Sequence, residues 1–183
     1  MSKTWVGLAL ILNRRHSGET DRLVTILTQE RGKLMVVAKG ARRLNSSRLG
    51  ALEPGNLVKI QLHHTHHWPI LTQAQVQSDC RQIRSGLVKL RQLSQLMEIV
   101  DRLFVEEELS PAIFELILSI RAKILLSQPT KKTVINQFNQ LFQQLGYPSV
   151  REAGHDNVTD YVASLSDRPM KSWEYLVVND PSG

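Results

Sequence analysis

The chain has a single cysteine, Cys80, among 183 residues. One thiol excludes an internal disulfide and any multi-cysteine metal site. Long apolar runs are also missing. The N-terminal run from Trp5 to Leu12 spans only eight residues, whereas crossing a bilayer takes about 18. No small-residue cleavage site follows that run, so it does not read as a secretion signal, and the expected setting is the cytoplasm. Aromatic residues are sparse, with only Trp5 and Trp68 in the first 80 positions. No phosphate-binding glycine motif, nucleophile–base pair or metal-ligand spacing occurs, so the sequence offers neither an enzyme nor a cofactor site.

The most informative lack is of acid. Residues 31 to 52, RGKLMVVAKGARRLNSSRLGAL, contain Arg31, Lys33, Lys39, Arg42, Arg43 and Arg48 but no Asp or Glu; Glu30 and Glu53 bracket the stretch. The wider charge follows the same division. In residues 1–80 eleven Lys and Arg face five Asp and Glu, whereas residues 81–183 balance at twelve to twelve. The whole net charge of +6 therefore lies in the first 80 residues. A basic half beside a neutral half implies that one part meets a polyanion. The plainer alternative is a solvated basic face kept for solubility.

Periodicity divides the chain at the same place. WVGLALIL, RLVTILT (22–28), KLMVVAK (33–39), LVKIQLH (57–63) and PILTQAQVQ (69–77) read as five short strands. Gly32 suits a hairpin turn between the second and third, and EPGN (53–56) is a turn signal. In LVKIQLH, Val58, Ile60 and Leu62 share one face, with Lys59, Gln61 and His63 on the other. Five strands in this span predict a small barrel. The basic stretch after Lys39 breaks alternation and reads as a long loop or short helix. After Cys80 the period lengthens. A helix is predicted from about 82 to 106. A second is expected behind Ser110 and Pro111, and a third runs from Thr130 to the stop at Gly146 and Pro148. The fold class is thus α+β, with a barrel domain at 1–80 and a helical domain at 81–183.

Two clusters compete with the basic stretch for attention. HHTHH holds His63, His64, His66 and His67. It follows a strand and precedes Trp68-Pro69, and no carboxylate or cysteine nearby completes a zinc set, so it reads as a solvated turn. HSGETDR (16–22) carries Glu19 and Asp21 beside His16. Carboxylates so spaced in a loop cap turns or pair with Arg14, Arg15 or Arg22. The six bases are left as an electrostatic track for a nucleic-acid backbone, with sparse stacking and little sequence preference.

The stretch from LILNRRHSGETDR through LEPGNLV resembles the N-terminal domain of the RecO recombination-mediator family. The pattern runs through Gly18 to Arg22, the turn at Gly32-Lys33, Ala38 to Arg43 and Leu52-Glu53-Pro54. It continues more weakly to QLGYP and returns at RPMKSWEYL (168–176). The resemblance implies an oligonucleotide-binding (OB) barrel followed by a helical domain. It implies binding of single- and double-stranded DNA, strand annealing and assistance in loading a recombinase onto DNA covered by single-strand-binding protein. It further implies RecR and the C-terminal tail of that single-strand-binding protein as partners. Many members of the family carry a four-cysteine zinc site after the third helix. Here SVREAGHDNVTD has no cysteine, so a shortened, zinc-less C-terminal region is expected. Two readings from other classes stand beside this one: an RNA-binding or ribosome-associated barrel, and a protein-interaction scaffold whose basic face meets an acidic peptide.

Overall fold

The alternation of residues 57–63 is realised as a strand with one dry face. Val58, Ile60 and Leu62 are buried, while Lys59 between them is exposed. This is β4 (Leu57–His63), and four more strands join it: β1 (Thr4–Ser17), β2 (Asp21–Thr28), β3 (Gly32–Ala38) and β5 (Ile70–Ser78). The computed structural model describes residues 4–41, 48–83, 86–105, 108–127 and 130–172. The strands close into a barrel in the order β1-β2-β3-β5-β4. All neighbours are antiparallel except β3 and β5, which run parallel and meet at Val37 and Ile70. The fold is therefore α+β, with an OB-type barrel followed by helices.

β1 extends past the expected end near Asn13. A register shift between Ile11 and Asn13 moves the strand's side chains to the other face. That bulge ends the apolar alternation, yet Arg14 to Ser17 go on pairing with β2. At the far end of β2, Gly32 supplies the left-handed position of the hairpin turn at φ 60°. The Thr28 hydroxyl holds that turn by accepting the Arg31 N–H at 3.1 Å.

The barrel interior is built from Ala9, Ile11, Val24, Ile26, Leu34, Val36, Val58, Ile60, Leu62 and Leu71. A short helix, α1 (Arg48–Ala51), packs against β5. Asn56 ties these parts together from a position almost fully out of solvent. Its side-chain amide donates to the carbonyls of Gly50 and Ala51, at 3.0 and 3.2 Å. Its amide oxygen accepts the Cys80 N–H at 3.0 Å, just beyond β5. Its own carbonyl accepts the Ile11 N–H at the β1 bulge.

The chain divides into two compact units. The first is residues 1–82 together with Phe104–Phe114, and the second is Ile83–Leu103 with residues 115–183. The remaining helices are α2 (Leu87–Leu103), α3 (Pro111–Leu126), α4 (Lys131–Gln144) and α5 (Val158–Ser166). α2 is shorter at both ends than the periodicity suggests, and Phe104 beyond it belongs to the barrel unit. The caps are those expected. Ser110 accepts the Ile113 N–H, and Thr130 accepts the Thr133 N–H. α4 ends in a Schellman arrangement, with Tyr147 N–H donated to Phe142 and Gly146 N–H to Gln143.

In the second unit Leu96, Val100, Ile120, Phe138, Phe142 and Tyr161 are buried. Tyr161 meets Phe142 edge-on at 5.1 Å and donates its hydroxyl to the Pro148 carbonyl. The cysteine-free segment before α5 is hydrogen-bonded. Glu152 accepts both the N–H and hydroxyl of Ser149, and Asn157 caps α5 by accepting the Asp160 N–H. The unit is clasped by Glu98 and Arg102 on α2. Arg102 donates to Glu98 and to the backbone carbonyls of Arg168 and Pro169. Glu98 accepts the N–H groups of Lys171 and Ser172, each at 2.7 Å. Burial pushes the Glu98 carboxyl up, but hydrogen bonds from Ser172, Lys171 and Arg102 outweigh it and hold the group below its ordinary range.

Two outcomes follow. Asn56→Ala leaves the Cys80 N–H and the α1 carbonyls without their buried partner and should cost about 1–3 kcal/mol. A urea midpoint lowered at unchanged slope is the expected reading. For Glu98 the depressed folded-state pKa means its stabilisation is present above the unfolded glutamate value of about 4.3. It is lost as the pH falls through the still lower folded value. Glu98→Gln should therefore lower stability near neutrality by about 1–3 kcal/mol. The gap to the parent protein should narrow in acid, measured as unfolding midpoints across a pH series.

Candidate nucleic-acid interface

The basic stretch begins at one end of the barrel and leaves from the other. Arg31 sits in the β2–β3 turn, and Lys39 stands beyond the end of β3. The seven residues of β3 set them roughly 20 Å apart along the strand. Lys33 lies near the turn and is half-buried, and its N–H is donated to the Val105 carbonyl. Lys39 is exposed. Arg42 and Arg43 lie outside the described residues. Arg48 opens α1, and its side chain also lies outside what is described. The three described bases therefore do not converge on one point. Arg31 and Lys33 mark one end of β3, and the remaining four follow its other end into α1.

Arg31 is occupied within the protein. Its guanidinium lies 5.4 Å from the centre of the Trp5 ring, within cation–π range. Its Nη1 is 2.7 Å from Nε2 of His64. Arginine has no acceptor, so this nitrogen of His64 is the acceptor in the contact. Gly7 makes the stack possible, because a Cβ there would lie 2.2 Å from the Trp5 ring. Of the HHTHH turn, His64 is thus drawn inward, while His66 and His67 stay exposed. Among the described residues no group of three His, Cys, Asp or Glu side chains could hold a metal ion.

The HSGETDR loop caps a turn, one of the two roles expected of its carboxylates. Asp21 accepts the Gly40 N–H at 2.7 Å and so fixes the point where the basic connection leaves β3. Arg14 pairs with Glu53, not with the carboxylates of the loop. Carboxylates thus stand on both sides of the connection from β3 to α1, Asp21 at Gly40 before it and Glu53 just after α1.

The two outer faces of the barrel differ. Leu10, Leu23 and Leu27 point away from the interior cluster, by alternation with Ala9, Val24 and Ile26, yet they are buried. The β2–β3 hairpin is further covered by the later segment of the same unit, through Lys33 to Val105 and Leu109 to Gln29. The β1–β4–β5 side is open. It forms a groove of about 730 Å³ whose lining includes Val6, Lys59, Gln61, Gln73 and Gln75. Reading the sequence for charged residues passed over these amides. The signal that finds them is the run from 57 to 78, which contains no Asp or Glu but four Gln.

A closed five-stranded OB-type barrel carrying a basic connection into a short helix defines the class. Residues 1–78 match the family model described as Recombination protein O N terminal. The chain is similar to the DNA repair protein RecO of Salinibacter ruber, 38% identical over 112 residues, covering 60% of this chain and 43% of that protein. Heliobacterium modesticaldum RecO is 36% identical over 95 residues, covering 52% and 35%. Bacillus subtilis RecO is 30% identical over 160 residues, covering 87% and 63%. Residues 1–78 therefore form a RecO-type N-terminal domain. The chain spans between 35% and 63% of the length of these relatives. No helix among the described residues is long and apolar enough to cross a membrane.

Because Arg31 is held between Trp5 and His64, Arg31→Ala should act first on stability. A loss of about 0.5–2 kcal/mol is expected. The salt dependence of nucleic-acid binding should change less than on removing Lys39. Thermal unfolding and binding at several salt concentrations measure the two effects separately.

Proposed function

We propose that this chain is a DNA-binding, non-enzymatic mediator of recombinational repair. It binds single- and double-stranded DNA, anneals strands and assists loading of a recombinase onto DNA covered by single-strand-binding protein. The observation that carries this reading is the placement of the entire net charge on the barrel half of a chain with a RecO-type N-terminal domain. The basic connection between β3 and α1, with Lys39, Arg42, Arg43 and Arg48, supplies phosphate contacts, and Lys33 extends the track. Phosphate contacts position a strand without reading its sequence, which suits a protein that must act on any damaged site. RecR and the C-terminal tail of single-strand-binding protein are the protein partners in this reading. In this reading they meet the helical half, whose acids and bases cancel and whose helices carry apolar faces. The cytoplasm is the compartment in which these partners and the DNA would be met.

The test is a salt series. Replacing Lys39, Arg42, Arg43 and Arg48 with Ala should weaken binding to every DNA sequence alike. Each lost contact should flatten the plot of log affinity against log salt by roughly 0.7 for single strands. The fold should survive: Lys39 is exposed, and substitutions of charged residues away from core packing typically cost under about 0.5 kcal/mol. A folded quadruple variant with the parent's affinity and slope would refute the assignment. Competition between DNA and RNA of one sequence separates this reading from an RNA-binding one.

A further inference from the structure

OB barrels commonly lay an oligonucleotide across the outer face of strands 2 and 3. In this barrel Leu23 and Leu27 on that face are buried, as is Leu10 beside them on β1. A strand of nucleic acid bound by this chain needs another surface for its bases. The open side is the β1–β4–β5 groove, where the side chains of Gln61, Gln73 and Gln75 converge with Lys59 and Val6.

Resting on the nucleic-acid reading above, we propose that this groove takes the bases of a single strand bound by this chain. Its chemistry fits that ligand. Each glutamine amide carries both donors and an acceptor, matching the mixed donors and acceptors on base edges. The amides lie opposite one another across the sheet: Gln61 pairs in register with Gln73, and Lys59 with Gln75. Neither Gln73 nor Gln75 is buried, and none of the three amides is engaged by another described residue. A rotatable amide accepts any base, so such a groove contacts bases without strong sequence preference. The absence of Asp and Glu from residues 57–78 removes repulsion toward a polyanion, and Lys59 adds a positive charge on the groove floor.

Position supports the same assignment. α1 packs against β5, so the basic connection that enters α1 ends beside the groove's outer strand. At the other end of β5 lies the turn bearing Trp68, which is 50% exposed. An exposed indole offers a stacking face to a terminal base. A peptide partner would look for apolar anchor pockets, whereas five of the eight residues lining the groove are polar or charged.

The test compares two ligands of equal length, about 20 nucleotides, so that each exceeds the site of one OB barrel. One is a mixed-sequence DNA single strand, and the other is an abasic strand keeping only sugar and phosphate. The full chain should bind the base-bearing strand more tightly. Gln61→Ala, Gln73→Ala and Gln75→Ala combined should remove about tenfold of that affinity. Its affinity for the abasic strand and its salt slope should not change. Gln75→Ala alone, at an exposed site, should give a partial loss in the same direction and covers the case of a poorly folded triple variant. A well-folded triple variant that still prefers the base-bearing strand overturns the groove assignment and leaves this sheet face to a protein partner. If the parent binds both strands equally with a steep salt slope, the nucleic-acid reading stands and the groove assignment falls. If it binds neither, both fall.

Discussion

The barrel depends on one buried amide. Asn56 stands where β1 bulges, where α1 ends and where the chain leaves β5, and it hydrogen-bonds to all three. Each of those groups is a main-chain donor or acceptor that the ladders do not satisfy. Burying them without Asn56 would cost the desolvation of several polar groups. Asparagine alone among small side chains carries both the donors for the α1 carbonyls and the acceptor for the Cys80 N–H. Cys80 adds to the same knot through its thiol, whose single proton is shared between the Asn56 amide oxygen and the Pro54 carbonyl, each 3.3 Å from the sulfur.

The consequence reaches the functional surface. β3 and β5 meet in register only at Val37 and Ile70, so the ring is closed by a short parallel contact. Helix α1 packs on β5 and is held at its C-terminal end by Asn56. The basic connection therefore enters an anchored helix at one end. At its other end Asp21 holds the Gly40 N–H. The described residues on either side of this connection, Gly40 and α1, are thus both held by interactions outside it. Burial of Leu10, Leu23 and Leu27 makes the barrel one-sided, with an apolar face closed to solvent and an amide face open to it.

The second unit shows the same economy. Glu98 and Arg102, one turn apart on α2, grip residues 166 to 172 with an ion pair whose remaining donors and acceptors go to the Ser166 hydroxyl and to main-chain groups. Those residues open the RPMKSWEYL segment that resembles the family's C-terminal signature. Part of that signature is therefore structural: Met170 is buried, and its neighbours serve as ligands of the α2 pair.

The sequence by itself determined the parts that obey local rules. Strand β4 followed from strict alternation, the starts of α3 and α4 from Ser110-Pro111 and Thr130, and the end of α4 from Gly146. The charge division between the halves needed no coordinates at all. The continuation of β1 past Asn13 was hidden because a bulge changes the face on which side chains appear. β2 held a signal that alternation alone does not interpret: RLVTILT is apolar on both faces, and both faces are buried. Other pairings were decided only by the tertiary structure. Arg31 looked like a free base until closure of the barrel brought His64, 33 positions away, against it. Glu98 and Ser172 meet across 74 positions. Periodicity and caps report whether a residue faces the core or ends a helix, since those depend on near neighbours. Which distant group becomes its partner depends on register and closure, which no local pattern encodes.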